Sequence, residues 1–315
     1  MNNLSIIIPV KNGEKYLEKS IKNNLENMSS SDEIIYIDDW SNDNTFDLIK
    51  KHQVLDNRIK LFKNNKSGLV SALNYGVEKS ANMWIARADV DDEYPNVRLN
   101  IQRNYIKSKV AAIFCDYQFI DENSNDLGTI RSPIFHESIF ISLTNSQRTP
   151  HPGVVFNKRI FNLVGGYQET DFPVEDLSLW LRMSFEGELI SCPDLLLFYR
   201  LHGNSVTARK KATINQQKRL LLKKYSYNSK FVNKKMVKDL YLKYNKYPED
   251  EERKILFIRD LIDYLIFHKK YIRVVFFVPF ILKNILKINN VRIIIYLNKM
   301  RKIRSNYRSN YKSDL

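Results

Sequence analysis

Three carboxylates, Asp89, Asp91 and Asp92, follow directly on a short apolar run, Met83 to Ala86, in the stretch WIARADVDDEYP. Carboxylate oxygens suit hard divalent cations, and a cation held this way can in turn hold a diphosphate. An apolar run of this length reads as a buried strand, and in open α/β sheets ligands bind outside the carboxyl ends of the strands. Asp89 and Asp91 are two apart, so an extended backbone points both to one side, and a kinked one still lets both face one ion. The competing reading is a solvated acidic loop ahead of a helix starting near Pro95. A second apolar run, Glu33 to Ile37, also ends in acids, Asp38 and Asp39. A third pair, Glu175 and Asp176, stands in the first turn of a helical stretch, PVEDLSLWLRMSFEG. The helix dipole favours acids there, so stabilising that helix is the alternative to a chemical role for the pair.

The elements that must carry these acids alternate. Leu4 to Val10 is rich in β-branched residues and apolar apart from Ser5, as for a parallel strand covered on both faces, and it ends at Pro9, Asn12 and Gly13. Tyr16, Leu17, Ile21, Leu25 and Met28 then recur at helical spacing. After the strand ending at Asp38 and Asp39, the pattern predicts a short helix over 46–51, a strand over 59–62 and a helix over 69–80. This β, α, β, α, β order implies a parallel sheet with right-handed crossovers, which brings the acid-bearing strand ends to one edge. Beyond it the sequence predicts a helix from Pro95 to Ser108 and a strand over 110–119. Residues 120–153 are rich in Asn, Ser, Thr and Pro, with a short helix over 137–143, as in a region that shapes a cleft. A strand over 153–156, a helix over 158–164, the helix from Pro173 and two strands, 188–192 and 195–201, complete this part.

The 315 residues carry a formal net charge of +15, unevenly distributed. Residues 1–208 hold slightly more acids than bases, whereas residues 209–315 hold a large excess of Lys and Arg. This divides the chain into an α/β part, 1–208, and a basic helical C-terminal appendage, 209–315, with a break expected at Tyr247, Pro248 and Glu249. Its longest apolar run, Val274 to Leu282, is interrupted by Pro279 and far below the roughly 20 residues of a membrane span. Apolar residues such as Ile272, Phe276 and Ile285 alternate there with Lys269, Arg273 and Lys287. Such a mixture can lie on an anionic membrane surface, or pack its apolar face on the rest of the protein and leave its basic face in water. Cys115 and Cys192 lack metal-ligand spacing and read as core thiols of a reducing compartment. The first apolar run is too short for a signal peptide, so the expected location is cytoplasmic.

The ordered series PVKNG, DDWSND, NNKSGLVSALNYG, ADVDD, GGYQETDFPVEDLSLWLR and YRLHGNS resembles the family 2 glycosyltransferases, the inverting nucleotide-sugar enzymes of the GT-A fold. The resemblance covers about residues 3–207. It implies that Pro9, Val10, Asn12, Asp38, Asp39 and Lys66 serve the nucleotide-sugar, with Asp39 the acid that holds uracil or ribose. Asp89, Val90 and Asp91 match the DXD motif, in which Asp91 is the direct metal ligand for Mg²⁺ or Mn²⁺ and Asp89 lies near the ribose. His202 matches a histidine near the metal or diphosphate. Glu175 and Asp176 match the family's ED pair, with Asp176 as general base. Ala86, Arg87, Arg98 and Gln102 resemble a subset that builds bacterial surface polysaccharides.

The resemblance implies transfer of one sugar, probed most simply with UDP-sugars, to a saccharide or lipid-linked saccharide acceptor at the inner face of the bacterial inner membrane. Two departures stand out. Trp40 occupies the usual Gly position of the DDGS turn, and no Q-x-x-R-W motif of processive synthases is present. The rival readings are a sugar nucleotidyltransferase, which lacks here its Gly-rich phosphate loop, and an inactive membrane- or nucleic-acid-binding protein. No nucleic-acid partner is expected, since the C-terminal aromatics form no RNA-binding motif.

Overall fold

The computed structural model describes residues 2–144, 147–203, 211–226, 239–240, 243–244 and 250–267. Eight strands form one sheet. Strand β1 (Leu4–Val10) leads to α1 (Glu14–Asn27), β2 (Glu33–Asp38), α2 (Thr45–Leu55), β3 (Ile59–Lys63), α3 (Leu69–Lys79) and β4 (Trp84–Arg87). These four strands pair in parallel in the order β3-β2-β1-β4, the arrangement that their β/α alternation predicts. Every residue of β1 is buried because helices cover both faces. Leu4, Ile6, Ile8 and Val10 pack with Leu17 and Ile21 of α1, whereas Ile7 packs with Val70, Leu73 and Val77 of α3. This two-residue alternation is why the strand reads as a continuous apolar run. Helix α3 approaches closely: a Cβ on Gly76 would lie 2.5 Å from Ile7 Cγ2.

The second half of the sheet is mixed. After α4 (Arg98–Arg103) comes the long strand β5 (Val110–Ile120), then β6 (Asp126–Ile130), α5 (His136–Leu143), β7 (Val155–Asn157), α6 (Lys158–Leu163), α7 (Glu175–Met183) and β8 (Glu188–Arg200). β7 is antiparallel to both β4 and β5 and joins the two halves, while β6 is antiparallel and β8 parallel to β5. Strand β6 was not anticipated in a stretch read as cleft-forming loop with one helix. Helix α4 is far shorter than the 95–108 expected from periodicity, because residues 104–109 leave the helix through turns such as Tyr105 N to Gln102 O and Ile106 N to Arg103 O. The two strands expected around Pro193 are one strand with a register shift opposite Phe114 to Asp116. β8 pairs with β5 on one side only, an edge position where a proline, lacking an N–H, is tolerated at a bulge.

Two helices of the basic region are described, α8 (Lys211–Ser226) and α9 (Glu251–Phe267). α9 packs against α5 and is joined to the sheet by buried charges. Arg253 Nη1 donates to Asp116 Oδ1 at 2.9 Å and Nη2 to Asp116 Oδ2 at 2.5 Å, and Arg148 pairs with Asp260. Ring contacts accompany them: Tyr244 stacks on Phe257, with centroids 5.4 Å apart, and meets Phe135 edge-on at 5.0 Å. Among the described residues no helix is long and apolar enough to cross a membrane. The break expected at 247–249 and the mixed apolar and basic run from 269 to 287 lie outside the described residues.

Candidate active site

The chain after β4 turns sharply and is braced from several sides. Asp89 N–H donates to Tyr94 Oη at 2.9 Å. Below it, Arg98 is buried, donates to Arg87 O at 2.9 Å and lies over the Tyr94 ring, 4.3 Å from its centroid. From the far edge, β8 reaches the same loop: Glu93 and Phe198 exchange backbone hydrogen bonds of 3.1 and 2.9 Å. Arg200 completes the clamp, its N–H donating to Asp92 Oδ1 at 2.9 Å and its Nε to Asp91 O at 2.8 Å, while its guanidinium pairs with Glu93. His202, two residues further, is thereby delivered to the acids, its Nε2 2.6 Å from Asp91 Oδ2.

Asp89, Asp91 and Asp92 each offer an oxygen within 4.8 Å of the others. The cost of holding them together is visible in their protonation. Burial raises the Asp89 carboxyl above its ordinary range, and burial followed by the charges of Asp91 and Asp89 raises Asp92 well above it. Arg87, ion-paired with Asp89, offsets part of this repulsion. Among the described residues Asp92 Oδ2 is buried without a partner. Three convergent hard oxygen donors, a neighbouring imidazole and an orphaned carboxylate oxygen fit a divalent cation such as Mg²⁺ or Mn²⁺.

Arg87 also connects this cluster to the acids at the start of α7. Its positive charge acts on Asp89, Glu175 and Asp176 alike, and Glu175 in turn feels the charge of Asp89. Burial, and then the adjacent Asp176, raises the Glu175 carboxyl to about 8. Its Oε2 is buried with no hydrogen-bond partner among the described residues. Burial also raises Asp176, whose Oδ1 accepts from Leu177 N–H at 2.7 Å and whose Oδ2 accepts from Gln147 Nε2 at 3.2 Å. Their burial sets the two acids apart from a solvated first-turn pair, which would stay ionised.

The residues expected around a nucleoside lie at the ends of β1, β2 and β3. Pro9 and Val10 are the last two residues of β1, and Val10 packs with Val90 against Gly13, where a Cβ would meet Val10 Cγ2 at 2.6 Å and Val90 Cγ1 at 3.1 Å. Asn12 has a left-handed backbone, φ +54°, held as its N–H donates to Ser41 Oγ at 2.9 Å and its Oδ1 accepts from Asn42 N–H at 2.8 Å. Asp38 accepts from Ser41 N–H at 3.3 Å. Asp39 Oδ1 accepts from Asn64 Nδ2 at 2.7 Å and from Gly68 N–H at 2.9 Å, so it fixes the loop that carries Lys66. Lys66 Nζ then spans 3.7 Å to Glu169, on the turn that precedes α7. Asp89, Asp91, Asp92 and His202 therefore form one cluster, Glu175 and Asp176 share Arg87 with it, and Asp38, Asp39 and Lys66 form an adjoining network along the same sheet edge.

Trp40 follows Asp39 with φ +60°, the conformation that explains why glycine suits this turn. Its ring is half exposed, and Lys63 Nζ lies 4.2 Å from the centroid. Sequence reasoning assigned no site role to Arg87 or Gln147. A charged residue inside an apolar strand was a signal for Arg87; Gln147, in a polar stretch, carried none.

A mixed α/β sheet flanked by helices, with acids gathered at the ends of its parallel strands, is the GT-A fold. Residues 5–162 match the model of glycosyl transferase family 2, and the chain belongs to that family. It is 32% identical over 209 residues to the O-antigen biosynthesis glycosyltransferase WbnJ of Escherichia coli, a match spanning 64% of this chain and 81% of that protein. An uncharacterized glycosyltransferase of Rickettsia bellii is 30% identical over 210 residues, 65% of this chain but 29% of that protein. Chondroitin synthase of Escherichia coli is 24% identical over 237 residues, covering 71% and 34%. The chain thus spans about a third or less of these last two relatives. Among solved structures, S. aureus TarS 1–349 in complex with UDP-GlcNAc superposes with a TM-score of 0.59 at 14% identity, covering 84% of this chain and 81% of that one. The mannosyltransferase PcManGT from Pyrobaculum calidifontis, in complex with GDP-Man and Mn²⁺, gives 0.51 at 14% identity, covering 84% and 85%.

Proposed function

We propose that this protein transfers a single sugar from a nucleotide-sugar, a UDP-sugar first among candidates, to a hydroxyl of a saccharide acceptor in bacterial surface-polysaccharide synthesis, with inversion at the anomeric carbon. The observation that carries this reading is the pairing of a three-carboxylate cluster with a separate buried acid pair across one arginine. The likeness to the O-antigen enzyme supports the polysaccharide assignment, and the UDP-GlcNAc complex of TarS supports the donor class. Family membership favours the transferase over the nucleotidyltransferase and over an inactive binding protein.

In this reading Asp91, with Asp89 and His202, holds Mg²⁺ or Mn²⁺, which when bound neutralises charge on the departing diphosphate. Asp39 and Lys66 belong to the donor side, where a carboxylate can accept from an imide N–H or a sugar hydroxyl and a lysine can face a phosphate. Arg87 keeps Asp89 oriented. On the acceptor side, Asp176 takes the proton from the attacking hydroxyl as the new glycosidic bond forms. Its raised pKa suits this task, since a base works best when its pKa approaches the working pH; such catalysis contributes about 10²–10⁴-fold. Glu175, neutral over much of that range, keeps a second negative charge from crowding the pair. Residues 209–315 are assigned to the acceptor side or to an anionic membrane surface at the inner face of the inner membrane, with residues 1–208 as the catalytic part.

The test is a panel of nucleotide-sugars with Mg²⁺ or Mn²⁺, following release of nucleoside diphosphate and transfer. Asp91→Ala and Asp176→Ala should each lose transfer while remaining folded, and Asp91→Ala should also weaken Mn²⁺ binding measured by calorimetry. Full transfer by Asp176→Ala would remove it as the base. Deleting residues 270–315 should weaken binding to anionic vesicles more than donor hydrolysis; equal loss of both would argue against the membrane role.

A further inference from the structure

A chain of contacts runs from α9 to the carboxylate assigned above as the base. Gln147, whose Nε2 donates to Asp176 Oδ2 at 3.2 Å, has a left-handed backbone with φ +46°. A residue with a side chain adopts this conformation when its surroundings enforce it. The enforcing contacts lie on both sides of it. Gln147 N–H donates to Ser142 O at 2.7 Å, and Arg148 N–H donates to Ser142 Oγ at 3.2 Å. The Arg148 guanidinium is buried, donates to Arg131 O at 2.8 Å and pairs with Asp260 of α9, whose side chain is 1% exposed. Arg148 O accepts from Ser132 Oγ at 2.9 Å.

We propose that Asp260 is a positioning residue for sugar transfer: through Arg148 it holds Gln147 in its left-handed conformation, and the Gln147 amide aims the Asp176 carboxylate. The inference rests on Asp176 being the base. It gives the basic C-terminal region a part in the chemistry of the catalytic sheet, separate from any role at a membrane. A hydrogen bond donated to a carboxylate favours its ionised form, so losing the amide raises the pKa of Asp176. The charged and titratable groups around Asp176 include Glu175 beside it, Arg87 from β4, Lys218 from α8 and Tyr167. The Asp260 carboxylate is engaged by Arg148 and by Arg259, whose Nη2 lies 3.0 Å away. Whether a change at Asp260 reaches Asp176 through these contacts is what the double variant reads.

Gln147→Gly is the first variant, because glycine keeps the left-handed backbone without strain while the amide goes with the rest of the side chain. With the UDP-sugar that the panel identifies, it should melt no lower than the wild type. Its kcat should fall about tenfold with donor KM unchanged, and the acid limb of its kcat–pH profile should move up by about one unit. Asp260→Asn should shift kcat and the acid limb in the same direction, and in the Gln147→Gly background it should lower kcat no further. Asp260→Ser, which also removes the charge, replaces Asp260→Asn if the latter does not fold. An unmoved acid limb in the Asp260 variant, or losses in the double variant that multiply, would overturn the relay. The base assignment fails separately, by transfer surviving in Asp176→Ala, a variant in which Asp260, Arg148 and Gln147 are untouched.

Discussion

Glu175→Gln tests the electrostatics of the site through stability rather than turnover. Burial, and then the charge of Asp176, raises this carboxyl from 4.5 to about 8. Between these values the folded chain holds a proton on Glu175 that the unfolded chain has released. Stability from this group is therefore fully present below the unfolded value, falls as pH rises through the window, and is lost above the folded value. Each pKa unit is worth about 1.4 kcal/mol. At neutral pH the unfolded value lies some 2.5 units below, a cost of about 3 kcal/mol, or about 1–3 kcal/mol once relaxation around the coupled pair is included. Gln has nearly the same shape and no proton to lose. Urea unfolding of both chains at about pH 5, 6.5 and 8 should show the variant gaining on the wild type as pH rises, while both retain transfer. Parallel stabilities across this range, or a gap that closes with rising pH, would refute the account of a buried, largely neutral Glu175.

Two further substitutions test the backbone that carries the site. Because Trp40 stands at φ +60°, Trp40→Gly should be more stable than Trp40→Ala by about 1 kcal/mol, since both lose the ring and only Ala keeps the left-handed penalty; equal melting curves would show the turn relaxing elsewhere. Gly76→Ala should cost about 1–3 kcal/mol through the forced contact with Ile7. An unchanged unfolding midpoint there would mean that α3 can lift from β1 freely.

Much of the parallel half was legible because its code is local. β1 and β2 are buried on both faces, their apolar residues run nearly unbroken, with Ser5 the polar exception inside β1, and acids appear where β2 stops. The candidate site acids stand out in the same way, since Asp89 and Asp91 closely follow a strand and Glu175 and Asp176 begin a helix. The antiparallel half was less legible. β6 contains Asp126 and Gly128 and is mostly half-buried, so it lacks the apolar signature of a buried strand. β8 contains a proline that reads as a break, because the sequence does not reveal that this strand lies at the edge. Gln147 and Asp260 escaped for a different reason: their contacts cross 29 residues between Gln147 and Asp176 and 112 between Arg148 and Asp260, and no periodicity encodes such pairs.

The docking of α9 has a consequence for how the chain is made. Asp116, fully enclosed in β5, takes one guanidinium from Arg131, 15 residues away, and a second from Arg253, 137 residues away. During synthesis the first strands and their helices can collapse as soon as they emerge, because their partners are near neighbours. The strand that seats Asp116 must wait for more than a hundred further residues before the second guanidinium reaches it, so a chain that stops short of Arg253 is left with a buried carboxylate lacking one of its two charged partners.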